Sequence, residues 1–142
     1  QFEKKIVDIL NKEEYSYKII RGTDKKTIGS HLKNLFYSNR INSMELLKDI
    51  NQSKYIISRS GYSSILDLTA LNKKAILIPT KGQIEQEYLS RLHNKKGLFI
   101  CFDENKIDLD AAILYFNENK GKQENNANSK IEFGVIREFL NL

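Results

Sequence analysis

The chain has one cysteine, one proline and no tryptophan, and these shortages exclude several classes of protein. Because Cys101 stands alone, an internal disulfide or a zinc site of four cysteines is impossible. A single proline, Pro79, excludes collagen-like and proline-rich chains. No apolar run approaches the roughly 18–20 residues of a membrane span, and the first residues do not resemble a signal peptide. We therefore expect a soluble protein of the cytoplasm.

The charge of the chain is uneven along its length. The 142 residues are 40% hydrophobic and 29% charged, which is typical of one globular domain. Residues 1–60 carry 12 basic and 7 acidic side chains, a balance of 12 − 7 = +5, whereas residues 61–142 carry 11 of each. A basic first part favours an anionic ligand such as a phosphate, a nucleic acid or a lipid headgroup. A lysine-rich solvated surface explains the same surplus.

Apolar segments of two kinds alternate along the chain. Segments rich in β-branched and aromatic residues predict strands at 15–20, 32–37, 54–58, 75–78 and 98–102. Segments with helical periodicity predict helices at 2–12, 44–50, 62–71, 84–95 and 108–117. The pattern predicts a Rossmann-like α/β domain, a doubly wound parallel sheet of about five strands with helices on both faces. Such a domain normally opens on a central strand, so either a first strand is missing or the sheet closes without it.

The last part of the chain changes character. Residues 118–130 are polar and lack apolar periodicity, which predicts a flexible linker after a domain at 1–117. Ile131, Val135, Ile136, Phe139 and Leu140 then follow helical spacing. We expect a helix over 131–142 that packs on the domain or on a missing neighbour.

The first candidate motif lies where a predicted strand meets a helix, at Ser58-Arg59-Ser60-Gly61-Tyr62-Ser63-Ser64. Backbone N–H groups at such a helix start favour phosphate, and the serine hydroxyls add donors. Asp67 lies about 7–9 Å further along that helix, roughly the distance from a diphosphate to its ribose, whose hydroxyls a carboxylate accepts. The motif is neither a Walker A loop nor a G-x-G-x-x-G fingerprint. Helix capping and an exposed aspartate explain these residues as well.

The second candidate motif follows the buried strand at 75–78. Four polar side chains, Gln83, Glu85, Gln86 and Glu87, stand within five positions. Clustered amides and carboxylates recognise sugar hydroxyls, although glutamates also suit the first turn of any helix. Both motifs are predicted at the carboxyl edge of the sheet, where open α/β sheets bind ligands.

Other chemistries find little support in the sequence. His31 and His93 have no further ligand at metal spacing, so we expect no metal site. Nucleic-acid binding needs basic residues interleaved with aromatic residues on one face. The sequence only hints at this near Tyr15 and Tyr17, so we expect no nucleic-acid partner.

The stretch Ile-Ser-Arg-Ser-Gly-Tyr-Ser-Ser-Ile-Leu-Asp-Leu, followed by Lys-Lys-Ala-Ile-Leu-Ile-Pro-Thr-Lys-Gly-Gln-Ile-Glu-Gln-Glu-Tyr-Leu, resembles the C-terminal, donor-binding domain of family 28 glycosyltransferases. That family has two Rossmann-like domains, the GT-B fold, with the active site between them. Its familiar bacterial member adds N-acetylglucosamine to a peptidoglycan lipid intermediate. The resemblance implies a UDP-sugar donor, no cofactor and no metal.

The resemblance also implies roles for single residues. Ile41 falls where the family's backbone recognises uracil, and Met44 where a side chain packs on the nucleoside. Asp67 falls at an acidic position for the ribose hydroxyls, where Glu is usual. Gln86 matches the amide that contacts the donor sugar, and Glu87 stands where a second amide is common, which leaves the sugar open. The donor's diphosphate is assigned to the turn and helix start at Arg59, Ser60, Gly61, Tyr62, Ser63 and Ser64.

The resemblance leaves the catalytic machinery outside this chain. The acceptor domain, with its general base and membrane-facing patch, has no counterpart here, so no catalytic residue is assigned and we expect the chain alone to be inactive. The intact parent would transfer a hexose, N-acetylglucosamine by preference, at the inner face of the membrane. Two other hypotheses stay open: a UDP-sugar 2-epimerase-like domain, and a non-catalytic nucleotide-sugar-binding subunit of a split transferase.

Overall fold

A computed structural model of the chain describes residues 1–12, 15–21, 35–38, 42–119 and 131–136. Six strands and five helices occur in these ranges. The elements are α1 Phe2–Lys12, β1 Tyr17–Ile20, β2 Leu35–Ser38, α2 Ser43–Gln52, β3 Ser53–Ser58, α3 Tyr62–Ala70, β4 Ala75–Leu77, α4 Ile84–His93, β5 Phe99–Cys101, α5 Leu109–Glu118 and β6 Ile131–Ile136.

The strands form one parallel sheet in the order β2-β1-β6-β3-β4-β5. Strands β3 and β4 are apolar without alternation, because helices cover both faces of the sheet. Ile56, Ile57, Ile76 and Leu77 are all fully buried there. The predicted Rossmann-like α/β class is confirmed, with six strands in the described ranges where we expected about five.

The predicted helix at 131–142 is wrong over its first half, because Ile131–Ile136 forms strand β6. Phe133, Val135 and Ile136 are buried. In a strand covered on both faces, consecutive apolar residues are all buried, so the sequence lacked the alternation that would have distinguished a strand from a helix. Residues 137–142 lie outside the described residues. So does the predicted linker, apart from 118–119 at the end of α5.

Strand β6 fits the centre of the sheet because it carries Gly134. A Cβ atom built on Gly134 would lie 2.6 Å from Oγ of Ser53 on β3, far inside van der Waals contact. Strand β3 can therefore lie this close to β6 only because residue 134 has no side chain. In the described part of the chain, β6 pairs with β1 on one side and β3 on the other. In the usual strand order of a doubly wound domain, the first strand of the chain lies at this central position. Here β6 lies there instead.

Two apolar clusters hold the helices against the sheet. Helices α2, α3 and α4 cover one face and bury Leu46, Ile65 and Leu89 against β3, β4 and β5. Helices α1 and α5 cover the other face, where Ile6 and Phe116 are buried. This arrangement places the starts of α2, α3 and α4 at the carboxyl edge of the sheet, where both predicted motifs lie.

Candidate functional site

The start of α3 is an open helix terminus. Gly61 is the N-cap residue, in an extended conformation (φ −74°, ψ 151°), and no side chain caps the first turn. Because its φ is negative, Gly61 is not needed for a left-handed turn; a Cβ there would meet only Oγ of Ser64, at 3.8 Å. Tyr62 and Ser63 are exposed. The first N–H groups of α3 therefore lack a side-chain acceptor and suit an anion.

Arg59 is turned away from this helix start and braces the edge of the sheet. Its Nη1 donates to the carbonyl of Pro79 at 3.1 Å, and its Nη2 donates to Oε2 of Glu104 at 3.0 Å. The guanidinium lies 3.8 Å from the ring centroid of Phe2. Arg59 thus joins the loops that follow β3, β4 and β5. In this arrangement its charge is largely compensated by Glu104 before any ligand arrives.

Glu104 is the acidic centre of that brace. Its second oxygen, Oε1, accepts from Nζ of Lys5 at 3.3 Å. Partial burial acts to raise the pKa of this carboxyl, but the hydrogen bonds and charges of Arg59 and Lys5 outweigh burial and hold its pKa below the ordinary value. Glu104 is therefore ionised at neutral pH. Nothing in the sequence signals this contact of Glu104 with Arg59, 45 positions away.

Ser60 connects the two predicted motifs. It is fully buried, and its Oγ donates to the backbone carbonyl of Gln86 at 2.8 Å. The turn before α3 is thereby tied to the first turn of α4. The diphosphate and sugar motifs, which the sequence placed only on a common edge, are in direct contact.

The second motif is a hydrogen-bonded turn. The N–H of Gln83 donates to the carbonyl of Thr80 at 3.0 Å, and Gly82 has a positive φ of 86°, which makes this a type II turn. Oε1 of Gln86 accepts from the N–H of Thr80 at 2.9 Å, and Oε1 of Glu87 accepts from the N–H of Gly82 at 2.8 Å. Nε2 of Gln86 donates to Oε1 of Gln83 at 2.6 Å. Three of the predicted sugar contacts, Gln83, Gln86 and Glu87, are thus held together, while Glu85 is exposed.

Two of the three predicted nucleoside residues lie in the described part of the chain, and both are exposed. Asp67 is exposed on α3, five positions after its first residue, or about 7.5 Å along the axis. Met44 is 75% exposed at the start of α2. Ile41 lies outside the described residues, so its placement stays a prediction.

A cleft of about 480 Å³ opens between the turn of the second motif and the loop after β5. Of the residues around it, only Glu87 was among the predicted ligand contacts. Residues 103–106 could have been found from their place directly after β5. Arg91 could have been found from its position four residues after Glu87. The lining residues are Pro79, Lys81, Glu87, Ser90, Arg91, Asp103, Glu104, Asn105 and Lys106.

The described residues hold no group of three or more histidine, cysteine, aspartate or glutamate side chains that could bind a metal ion. His93 packs edge-on against Phe99, with ring centroids 5.9 Å apart. Cys101 is partly buried; burial raises the pKa of its thiol, against a smaller opposing effect of a hydrogen bond with Ser90. Among the described helices, none is long and apolar enough to cross a membrane.

Comparison with known proteins gave one match. The model of the glycosyltransferase family 28 C-terminal domain matches residues 4–137, nearly the whole chain. Neither the search of curated proteins nor that of solved structures gave a match. The matched range includes both motifs and strand β6. The chain therefore belongs to glycosyltransferase family 28, as a C-terminal, nucleotide-sugar-binding domain.

Proposed function

We propose that the chain binds a UDP-sugar at the carboxyl edge of its sheet and is the donor half of a hexosyltransferase. The observation that carries this proposal is the hydrogen bond between Ser60 and Gln86, which places an open helix terminus beside a cluster of amides and carboxylates. The helix terminus suits a diphosphate. The amides and carboxylates suit the hydroxyls of a sugar.

In this proposal the donor lies across the starts of α2, α3 and α4. The N–H groups of Tyr62 and Ser63 bind the diphosphate, and the carboxylate of Asp67 accepts from the ribose hydroxyls. Met44, exposed at the start of α2, packs on the nucleoside, whose uracil we assign to the backbone of Ile41. Gln83, Gln86 and Glu87 bind the hexose, for which N-acetylglucosamine is our first candidate.

The proposed chemistry is attack by an acceptor hydroxyl on the anomeric carbon of the sugar, with UDP as leaving group. Negative charge then develops on the diphosphate, and the helix start of α3 stabilises it. Arg59 contributes by holding the loops in place through Pro79 and Glu104 rather than by reaching the ligand. The acceptor and the residue that takes its proton belong to the rest of the parent enzyme.

Calorimetric titration with UDP, with ADP as control, tests this proposal. We expect selective binding of UDP, because uracil recognition is assigned to residues of this chain. Equal affinity for UDP and ADP would contradict the base assignment, and no binding of either would contradict donor binding by this chain. In the parent enzyme, transfer to an acceptor rather than 2-epimerisation of the free UDP-sugar is the expected reaction.

A further inference from the structure

We propose that the cleft between the turn at 80–83 and the loop at 102–108 is a second anion site, which binds a phosphate group of a ligand other than the donor. Its lining contains a single apolar residue, Pro79. At about 480 Å³ it has the size of a small-molecule site. The proposal goes beyond donor binding, because none of the residues assigned to the diphosphate lines this cleft.

The side chains that line the cleft include equal numbers of cations and carboxylates, which differ in whether the protein already binds them. Three cations, Lys81, Arg91 and Lys106, and three carboxylates, Glu87, Asp103 and Glu104, line it. Both oxygens of Glu104 are already bound, by Arg59 and Lys5. One oxygen of Glu87 accepts from the backbone N–H of Gly82. Two of the three carboxylates are therefore engaged by the protein itself.

The cations have no such partners. In the described part of the chain, Lys81, Arg91 and Lys106 form no ion pair and no side-chain hydrogen bond. Only Asp103 opposes them as an unengaged carboxylate. The brace also brings Arg59 and Lys5 close behind the acidic side of the cleft. With Arg59 and Lys5 counted, five cations stand near three carboxylates, and guanidinium and ammonium donors together suit a phosphate oxyanion.

The cleft is separate from the helix start of α3 but shares a wall with the donor site. Glu87 lines the cleft, whereas Gln86, its neighbour, bonds to the turn and to Ser60. A ligand in the cleft would therefore lie beside the proposed sugar position. A phosphate-bearing acceptor would be held near the bond that breaks. Both a soluble phosphate ester and the headgroup of a phospholipid carry the group that this cleft would bind.

Residue-resolved NMR titration with inorganic pyrophosphate, in the presence of excess UDP, tests the inference. We expect shifts of the amide signals of Lys81, Arg91, Asn105 and Lys106. Arg91→Gln and Lys106→Gln should each weaken binding by about tenfold. The control Lys48→Gln removes an exposed cation of α2 that does not line the cleft, and it should leave the affinity unchanged.

Three outcomes would overturn the inference. Shifts confined to residues 61–64 would leave pyrophosphate at the helix start alone. Equal weakening by Lys48→Gln would show general charge attraction. Displacement of pyrophosphate from Arg91 and Lys106 by UDP would make the cleft part of the donor site, and donor binding would stand. If UDP fails to bind while pyrophosphate binds at the cleft, the donor proposal fails and the second site stands.

Vesicle sedimentation then identifies the source of the phosphate. Binding to phosphatidylglycerol vesicles but not to phosphatidylcholine vesicles, lost in Arg91→Gln, would support a lipid headgroup. Pyrophosphate binding at the cleft without vesicle binding would support a soluble phosphate ester.

Discussion

The hydroxyl of Ser60 donates to the backbone carbonyl of Gln86 across 26 positions of sequence, and this bond directly joins the two halves of the candidate site. Ser60 has no exposed surface, so water cannot replace the bond. This buried contact therefore ties the turn before α3 to the first turn of α4, in addition to the bond from Arg59 to the carbonyl of Pro79.

We expect Ser60→Ala to lower the free energy of unfolding by about 1 kcal/mol, because the buried hydrogen bond is lost. The carbonyl of Gln86 is then left without the hydroxyl that donates to it. Urea denaturation measures the change. Ser63→Ala, at an exposed position of α3, is the matched control and should be close to neutral. Equal stability of Ser60→Ala and the wild type would argue against this contact.

Gly61→Asp should separate helix capping from anion binding. The extended backbone at Gly61 accepts any residue, and an N-cap aspartate would keep stability or raise it by about 0.5 kcal/mol. The same carboxylate would repel a diphosphate, so UDP affinity should fall by at least about fivefold. Gly61→Asn caps the helix without the charge and should weaken UDP less. Equal affinities of the two variants, measured by calorimetry, would place the diphosphate elsewhere.

Asp67→Ala should weaken UDP binding by about tenfold, since a carboxylate that accepts from ribose hydroxyls is lost. Stability should hardly change, because Asp67 is exposed. Asp110→Ala removes an exposed aspartate of α5, on the other face of the sheet, and controls for net charge. A UDP affinity that survives Asp67→Ala intact would remove the ribose assignment.

Glu104→Gln should destabilise the chain by about 1 kcal/mol at neutral pH, because the bonds to Arg59 and Lys5 lose their charge. The folded-state pKa of Glu104 is lowered, so its stabilising effect is present above the ordinary pKa of a glutamate and is lost as the pH falls through the folded value. The difference between wild type and variant should therefore shrink in acid. A difference that stays constant from pH 7 to about pH 3 would contradict this role.

Gly134→Ala distinguishes the strand from the predicted helix. In a helix, alanine would stabilise by up to about 1 kcal/mol relative to glycine. In β6 the new methyl group meets Oγ of Ser53, and we expect a loss of about 1–3 kcal/mol. In a Ser53→Ala background that contact is gone, so the cost of Gly134→Ala should be smaller. Thermal denaturation of the four variants of this cycle measures the coupling.

Local patterns predicted the elements around the candidate site, and distant contacts decided what its residues do. The strand, turn and helix at 53–70 could be predicted from β-branched residues followed by small ones. The pairing of Arg59 with Glu104 could not, because nothing in either neighbourhood signals the other. Arg59 was expected to face the donor for that reason. Whether Met44 and Asp67 bind the nucleoside stays a prediction.

The same limit explains the error at β6. Ile131, Val135 and Ile136 fit a helical stripe as well as a buried strand, and no local signal distinguishes the two. Gly134 was the available hint, since glycine weakens a helix and suits close packing of strands. Its meaning depends on Ser53, which only the folded sheet brings near.

The central place of β6 has a consequence for how the domain assembles. Tyr17 and Tyr55, on strands β1 and β3, both pair with Phe133 of β6. Within the described sheet, the pair β1 and β2 is joined to the trio β3, β4 and β5 through β6 alone. During synthesis both parts leave the ribosome before Phe133 does, each with an open edge that invites wrong pairing. Closure of the sheet is thus a late, long-range step, which slows folding.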